Sequence, residues 1–362
     1  MAGTTLPFLP APAAGCNCGS CPWYVGNPDA VEPICSGCNT DCSYCSCART
    51  EAARRTPDAC GQCSIRCGSR VDIQAWMADV GGTMSFDDIA LRLTAPEDLP
   101  RFVPQVDTKE LGELDTSLQW PAYAIGLRRV LSPATRELLP GWRDTTAAEA
   151  LGLGASQRAV LVGYGEDPLV EAFWTRRHQL IPQLVEHEWD LVLSCNYSMY
   201  GNYPRTEMLL NFRRNLLLAQ EMCDAGIPAV PNLYWFRIED LRRYEAWAAD
   251  TDPPAVAVNL QTFRTDVDWE TSALPGLTYL AETLPSTIRM IVTGASRADR
   301  IAELTSLFGR RLHLVAQNAL AYARRGAVMT DDGREDVHAH VADAFAANVR
   351  FYDNLVRQDR PG

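Results

Sequence analysis

From about residue 100 onward the sequence alternates short apolar runs with amphipathic stretches, and this rhythm leaves few folds open to the chain. The candidate strands are Phe102 to Asp107, Ala122 to Leu127, Ala159 to Tyr164, Leu191 to Cys195, Ala229 to Leu233, Val256 to Leu260, Met290 to Thr293 and Leu312 to Ala316. Helical patterns lie between most of them: Leu169 to Glu188, Thr206 to Ala225, Ile238 to Ala249, a looser stretch around Leu274 to Leu284, and Arg297 to Leu307. Gly226-Ile227-Pro228 closes the second of these, because glycine accepts the left-handed turn at a helix end and proline cannot continue the helix. Eight such units over roughly 230 residues have the size and rhythm of a TIM-like (β/α)8 barrel, an α/β fold. Short connections in the first two units allow an irregular barrel. A doubly wound open sheet is the alternative. However, no G-x-G-x-x-G follows any strand, Gly163-Tyr164-Gly165 is too short for that fingerprint, and there is no P-loop, G-x-S-x-G or H-E-x-x-H.

Composition narrows the class. The 362 residues are 47% hydrophobic and 22% charged, enough for a large core and unlike a disordered or fibrous chain. No run approaches the roughly 18 apolar residues of a membrane helix. The opening Leu6 to Ala14 lacks a basic flank and is broken by Pro7, Pro10 and Pro12, so no signal peptide is read and a cytoplasmic protein is expected. A formal net charge of -12 repels a phosphate backbone and argues against a nucleic-acid coat. Lys109 is the single lysine, so almost all positive charge is arginine.

Of 13 cysteines, eleven fall before residue 70: Cys16, Cys18, Cys21, Cys35, Cys38, Cys42, Cys45, Cys47, Cys60, Cys63 and Cys67. The chain therefore divides into a cysteine-rich segment (1–70), a connection (71–100), the barrel (101–330) and a C-terminal helical tail (331–362). Close C-x2-C pairs beside a large body without an export signal suit metal better than disulfides. Two partitions work. Pairing Cys18/Cys21 with Cys35/Cys38, and Cys42/Cys45 with Cys60/Cys63, makes two tetrahedral zinc sites and leaves Cys16, Cys47 and Cys67 over. Alternatively the eleven split as four, four and three around iron–sulfur clusters.

The three in that case are Cys38-x3-Cys42-x2-Cys45, with Tyr44 before the last ligand. This string resembles the cluster motif of radical-SAM enzymes, in which three cysteines leave one iron open. The resemblance implies S-adenosylmethionine as a cofactor, only in the iron–sulfur case. Gly81-Gly82 would stand for that family's glycine pair, but Thr83 occupies the position of the glutamate that follows, and Pro22 to Pro33 is a poor strand. A structural metal knot stapling the N-terminal arm is the plainer alternative.

In a barrel, chemistry belongs to the loops after the strand C-termini. Here those ends carry Asp107, then Gly165-Glu166-Asp167, then Asn196-Tyr197-Ser198-Met199-Tyr200-Gly201-Asn202, then Asn232-Leu233-Tyr234-Trp235, then Asn259-Leu260-Gln261-Thr262-Phe263-Arg264, and Gln317-Asn318. Amides present a donor and an acceptor side by side and aromatic faces stack, so Asn196, Tyr200, Asn202, Asn211, Asn232, Trp235, Asn259, Gln261, Gln317 and Asn318 suit a flat heterocycle or another polar small molecule. Asp107, Glu166 and Asp167, with Asp266 beyond them, are candidate bases or nucleophiles, and Arg205, Arg214 and Arg264 candidate anion holders. Cys195 is a candidate nucleophile with no histidine obviously placed to activate it. His338 and His340 read as solvated surface residues.

The stretch from Val160 to about Val292 has an apolar strand into Gly165-Glu166-Asp167, then Leu191 to Tyr200, Pro204, Asn211-Phe212-Arg213-Arg214, and Gly226-Ile227-Pro228 leading to Pro231 and Trp235. It resembles a domain family of unknown function found in bacteria, their plasmids and their phages. The resemblance implies a mobile-element setting and no particular activity. Where that family has Asp-Phe-Ser-x-Tyr, this chain has Asn196-Tyr197-Ser198-Met199-Tyr200, an amide in place of the acid.

The expectation is a metal-binding barrel enzyme acting on a nucleotide, a nucleobase or a related polar substrate. Its rivals are a radical-SAM-type enzyme and a non-catalytic nucleic-acid-binding or replication accessory module with zinc knuckles. The net charge does not support the last of these, and no membrane partner is expected. Full-length protein purified without oxygen is expected to carry metal: zinc at about two per chain, or iron with a thiolate charge-transfer absorption band. Elemental analysis that finds neither removes the metal reading of the cysteines.

Overall fold

The computed structural model describes residues 19, 21–37, 65–68, 70, 72–92, 96, 98–107, 111–115, 118–201 and 203–358. Its strands are β1 (Phe102–Val106), β2 (Ala122–Gly126), β3 (Arg158–Val162), β4 (Leu191–Leu193), β5 (Ala229–Val230), β6 (Asn232–Leu233), β7 (Ala255–Asn259), β8 (Arg289–Thr293) and β9 (Leu312–Ala316). They form one sheet in the order β5-β4-β3-β2-β1-β9-β8-β7-β6, and every pairing is parallel. β1 and β9 pair through Phe102 with Leu314, so the first and last strands are neighbours. The other seam lies within the expected strand Ala229 to Leu233. Its first half pairs with β4 and its second with β7, and only Pro231 separates them. Proline has no N–H to give, and its carbonyl accepts from Ala257 N at 2.9 Å. The sheet is thus a nearly closed TIM-like (β/α)8 barrel, with the fifth stave shared by its two edges.

Inside the barrel, Val103, Ala124, Val162, Leu193, Val230, Ala257, Ile291 and Val315 pack in a separate cluster. The strand residues between them belong to the larger core that faces the helices. The main helices are α1 (Ile73–Asp79), α2 (Leu111–Leu114), α3 (Ala147–Leu151), α4 (Asp167–Val185), α5 (Arg205–Asp224), α6 (Ile238–Thr251), α7 (Leu274–Thr283), α8 (Ala298–Phe308), α9 (Asn318–Ala323) and α10 (Val341–Arg357). Ahead of α10, β10 (Ala327–Thr330) and β11 (Gly333–Asp336) form an antiparallel hairpin. His340 caps α10, and both it and His338 are exposed. Among the described residues no helix is long and apolar enough to cross a membrane.

The described part of the N-terminal region is clamped to the outside of α4, α5 and α6 by buried guanidiniums. Arg213 is fully buried and donates to Val80 O at 2.5 Å and to both oxygens of Asp88 at 2.7 Å. Arg66 reaches Glu207 at 2.7 Å and Glu171 at 2.6 Å. Arg177 holds Asp79 at 2.9 Å. Gly81 and Gly82 both have positive φ and close α1, with Gly82 N donating to Met77 O at 2.7 Å.

His313 on β9 is buried and its Nδ1 lies 3.0 Å from Pro100 O. Burial, against the pull of that carbonyl, lowers its pKa from 6.5 to about 4, and nearby Arg289 and Arg101 add to the shift. An unfolded chain takes up this proton near 6.5, whereas the folded protein resists it down to about 4. The residue's contribution is therefore complete above the upper value and is lost as pH falls between the two, by roughly 2 to 4 kcal/mol. Urea unfolding from pH 7 to pH 4 is expected to show this slope, and His313→Leu is expected to flatten that part of the profile.

Candidate functional site

Two residues beyond each apolar lumen position, on the same side of its strand, stand Gln105, Gly126, Tyr164, Cys195, Asn232, Asn259, Thr293 and Gln317. The layer nearest the strand C-termini is therefore predominantly polar. Cys195 departs from it and packs with the outer core. Gln105, Gly126, Tyr164, Asn259, Thr293 and Gln317 form the floor of a cavity of about 790 Å³. Its walls come from the loops that follow, including Asp107, Arg128, Arg129, Glu166, Asn196, Gln261, Arg264 and Arg324.

A relay of hydrogen bonds orients the floor. Tyr164 Oη donates to Asn232 Oδ1 at 2.9 Å, and Asn232 Nδ2 donates to Asn196 Oδ1 at 3.0 Å. The Asn196 oxygen is thereby occupied and its amino group is left to donate. Asn259 Oδ1 accepts from Gln261 N at 3.1 Å and fixes the start of that loop. Thr293 is buried, and its hydroxyl satisfies no hydrogen bond of good geometry among the described residues. Burial pushes the Tyr164 hydroxyl and the Cys195 thiol well above their ordinary ranges. Tyr164 is therefore a neutral phenol at physiological pH, and Cys195 is a thiol unsuited to nucleophilic attack.

The charge of the cavity opposes that of the chain. Four guanidiniums (Arg128, Arg129, Arg264, Arg324) face two carboxylates (Asp107, Glu166), a local surplus of two positive charges on a chain of net charge -12. Asp107, largely buried, is gripped by Arg129 at 2.6 Å and by Arg324 at 3.4 Å. Glu166 pairs with Arg128 at 2.6 Å in an exposed position. Arg264 is exposed, and its Nε donates to Gln261 O at 3.3 Å.

Of the residues singled out from sequence, Asp107, Glu166, Asn196, Tyr200, Asn259, Gln261, Arg264, Gln317 and Asn318 line the cavity. Asn232 lies beneath it as the centre of the relay. Asp167 opens α4 and accepts the Ser198 hydroxyl. Arg205, Asn211 and Arg214 stand on α5, away from the cavity. Arg205 pairs with Asp240, and Arg214 with Glu171 at 2.8 Å, its guanidinium 3.7 Å from the Tyr197 ring centroid. Asn211 donates to Ser198 O at 3.2 Å and so holds the loop that carries Asn196 and Tyr200. Trp235 is buried, donates to Ser272 O at 3.0 Å and stacks on Phe263. Asp266 lies on the surface between Arg297 and Arg300. Asn202 and the cysteines 16, 18, 38, 42, 45, 47, 60 and 63 lie outside the described residues.

Cys21, Cys35 and Cys67 are described. Cys35 is tied to the Cys21 turn through Cys35 N to Trp23 O at 2.7 Å, and Cys21 Sγ packs against Gly68, the neighbour of Cys67. Among the described residues no three His, Cys, Asp or Glu side chains are arranged to hold a metal. The sequence reading did not single out Gln105, Arg128, Arg129, Tyr164, Thr293 or Arg324. Extending the period-2 lumen pattern one step would have found three of them, and Arg128-Arg129 directly follow the end of β2. No protein-family model matches this chain, and no curated protein matches it in sequence.

Asn232 is completely buried and serves both neighbours, so Asn232→Ala leaves the Tyr164 hydroxyl and the Asn196 oxygen without their partner. The expected cost is about 1–3 kcal/mol for each group left unsatisfied. Chemical denaturation of the variant against wild type measures it.

Proposed function

We propose that this barrel is an enzyme whose mouth binds a small, polar, negatively charged substrate of the nucleotide or nucleobase class. The observation that carries the reading is the cavity of about 790 Å³ at the strand C-termini, in which an amide-rich floor meets surplus guanidinium charge. Gln105, Asn259, Gln261 and Gln317 offer donors and acceptors, and Asn196 a donor, of the kind that read the edge of a heterocycle. The arginines suit a phosphate or carboxylate. Asp107, directly after β1, stands on the cavity wall with each oxygen engaged by a guanidinium, which fixes its orientation toward a substrate, and it is the candidate base of the mouth. Glu166 is the second carboxylate of the mouth and serves as its partner in acid–base work.

In this reading the cysteine-rich arm holds zinc or an iron–sulfur cluster, with Cys21, Cys35 and Cys67 among the ligands. The cysteine spacing and the closeness of the Cys21 turn to Cys35 and Gly68 support it. The resemblance read from residues 160–292 points to a mobile-element setting and adds nothing to the choice of substrate.

Calorimetric titration of nucleosides and nucleotides into the full chain tests the reading. Gln261→Ala combined with Gln317→Ala removes two exposed amides that the core does not use, and is expected to weaken binding about tenfold or more with unchanged thermal stability. Once a turned-over substrate is found, Asp107→Asn is expected to lower kcat by about a hundredfold or more while binding persists. Equal affinity of wild type and the double variant for every ligand sinks the assignment.

A further inference from the structure

Beside the mouth lies a smaller recess of about 210 Å³ that shares Gln261, Arg264 and Gly294 with it. Gly294 has φ +80°, and a Cβ there would stand 2.6 Å from Gln261 N, so only glycine lets the loop after β8 press against the loop after β7. That contact forms the border between the two spaces. The recess holds the volume of roughly seven waters at about 30 Å³ each, enough for one oxyanion with some solvent.

Its chemistry is cationic. Arg264, Arg297 and Arg300 line it. Asp266 pairs with Arg297 at 2.5 Å and with Arg300 at 3.0 Å, and Asp299 pairs with Arg297. Three guanidiniums thus meet two carboxylates. The surplus charge belongs to Arg264, which has no carboxylate in ion-pair range among the described residues. Arg300 is 9% exposed and sits 4.7 Å over the Trp269 ring. Its terminal nitrogens are taken by Phe263 O, Thr265 O and Asp266, yet its buried Nε has no hydrogen-bond partner. That Nε has no accessible surface, so an anion in the recess would meet Arg300 through its charge and not through this N–H.

We infer that this recess is an oxyanion subsite that takes the phosphate group of a substrate whose uncharged body occupies the mouth. Arg264 at the border is its principal cation. The inference rests on the proposed mouth reading, and it narrows the substrate class to phosphorylated compounds. Free inorganic phosphate and a substrate phosphate share the same recognition chemistry, and the ligands of the test separate them.

The experiment titrates inorganic phosphate, adenosine and adenosine monophosphate into the full-length protein by calorimetry, with wild type, Arg264→Gln, Arg264→Lys and Arg324→Gln. Wild type is expected to bind phosphate saturably, and more weakly as sodium chloride is added. Arg264→Gln is expected to lose about tenfold or more in affinity for phosphate and for the monophosphate and to keep its affinity for adenosine, with Arg264→Lys recovering part of the loss. Arg264 is exposed, so these variants test binding without disturbing the core. Unchanged phosphate affinity in Arg264→Gln overturns the subsite. So does a loss confined to Arg324→Gln, which would place the anion beside Asp107, and so does wild type that binds no phosphate. Phosphate binding that follows Arg264 while adenosine and its monophosphate fail to bind supports the subsite and overturns the mouth reading instead.

Discussion

Closure of an all-parallel sheet is the constraint from which the rest of this structure follows. A parallel strand buried on both faces needs neighbours on both edges, and eight staves reach that condition only if the first meets the last and no stave is left half-paired. Pairing of β1 with β9 meets the first requirement. The second depends on the stave broken at Pro231, which gives one half to β4 and the other to β7. Because the residue without an N–H sits at the point of hand-over, the break removes little pairing that the ladder would otherwise have made.

Closure also dictates what the lumen can contain. A barrel of this size is filled by side chains, and the small and branched residues Val103, Ala124, Val162, Ala257 and Val315 fill its middle. One layer higher the walls open toward solvent, and amides, a phenol and a hydroxyl replace them. Polar groups there are either mutually satisfied or left without a partner, and both occur. Tyr164, Asn232 and Asn196 satisfy one another in sequence, while Thr293 has a buried hydroxyl without such a bond. The helix layer applies the same rule to charge. Arg213, Arg214 and Arg205 are buried on α5, and each is matched by a carboxylate or carbonyl from another segment. These pairs fix the docking of the segments, since truncating the carboxylate strands a buried guanidinium.

The fold was legible in sequence because its signals are local. Each expected strand from Phe102 to Ala316 appears within a residue or two of its bounds, and the helices α5 to α8 likewise, since apolar period and breakers such as Gly226-Ile227-Pro228 act over a few residues. Helix α4 ends three residues earlier than expected. The one stave that came out as two, β5 and β6, contains the proline that the pattern alone could not interpret. The candidate site was legible in part for the same reason. Asn259, Gln261 and Gln317 follow strand ends directly, so the strand reading placed them. Arg205, Asn211 and Arg214 satisfied the same compositional test, yet lie within a helix whose buried face only the packing reveals.

The sequence by itself therefore determined the number and order of the βα units, the loops that end at the mouth and the concentration of cysteines before residue 70. Only the tertiary structure decided which polar residues meet. Arg129 and Arg324 converge on Asp107 from the two staves that flank β1, and Arg66 meets Glu207 across 141 positions of chain. Such pairings depend on the twist and closure of the whole sheet, for which a one-dimensional pattern carries no distance.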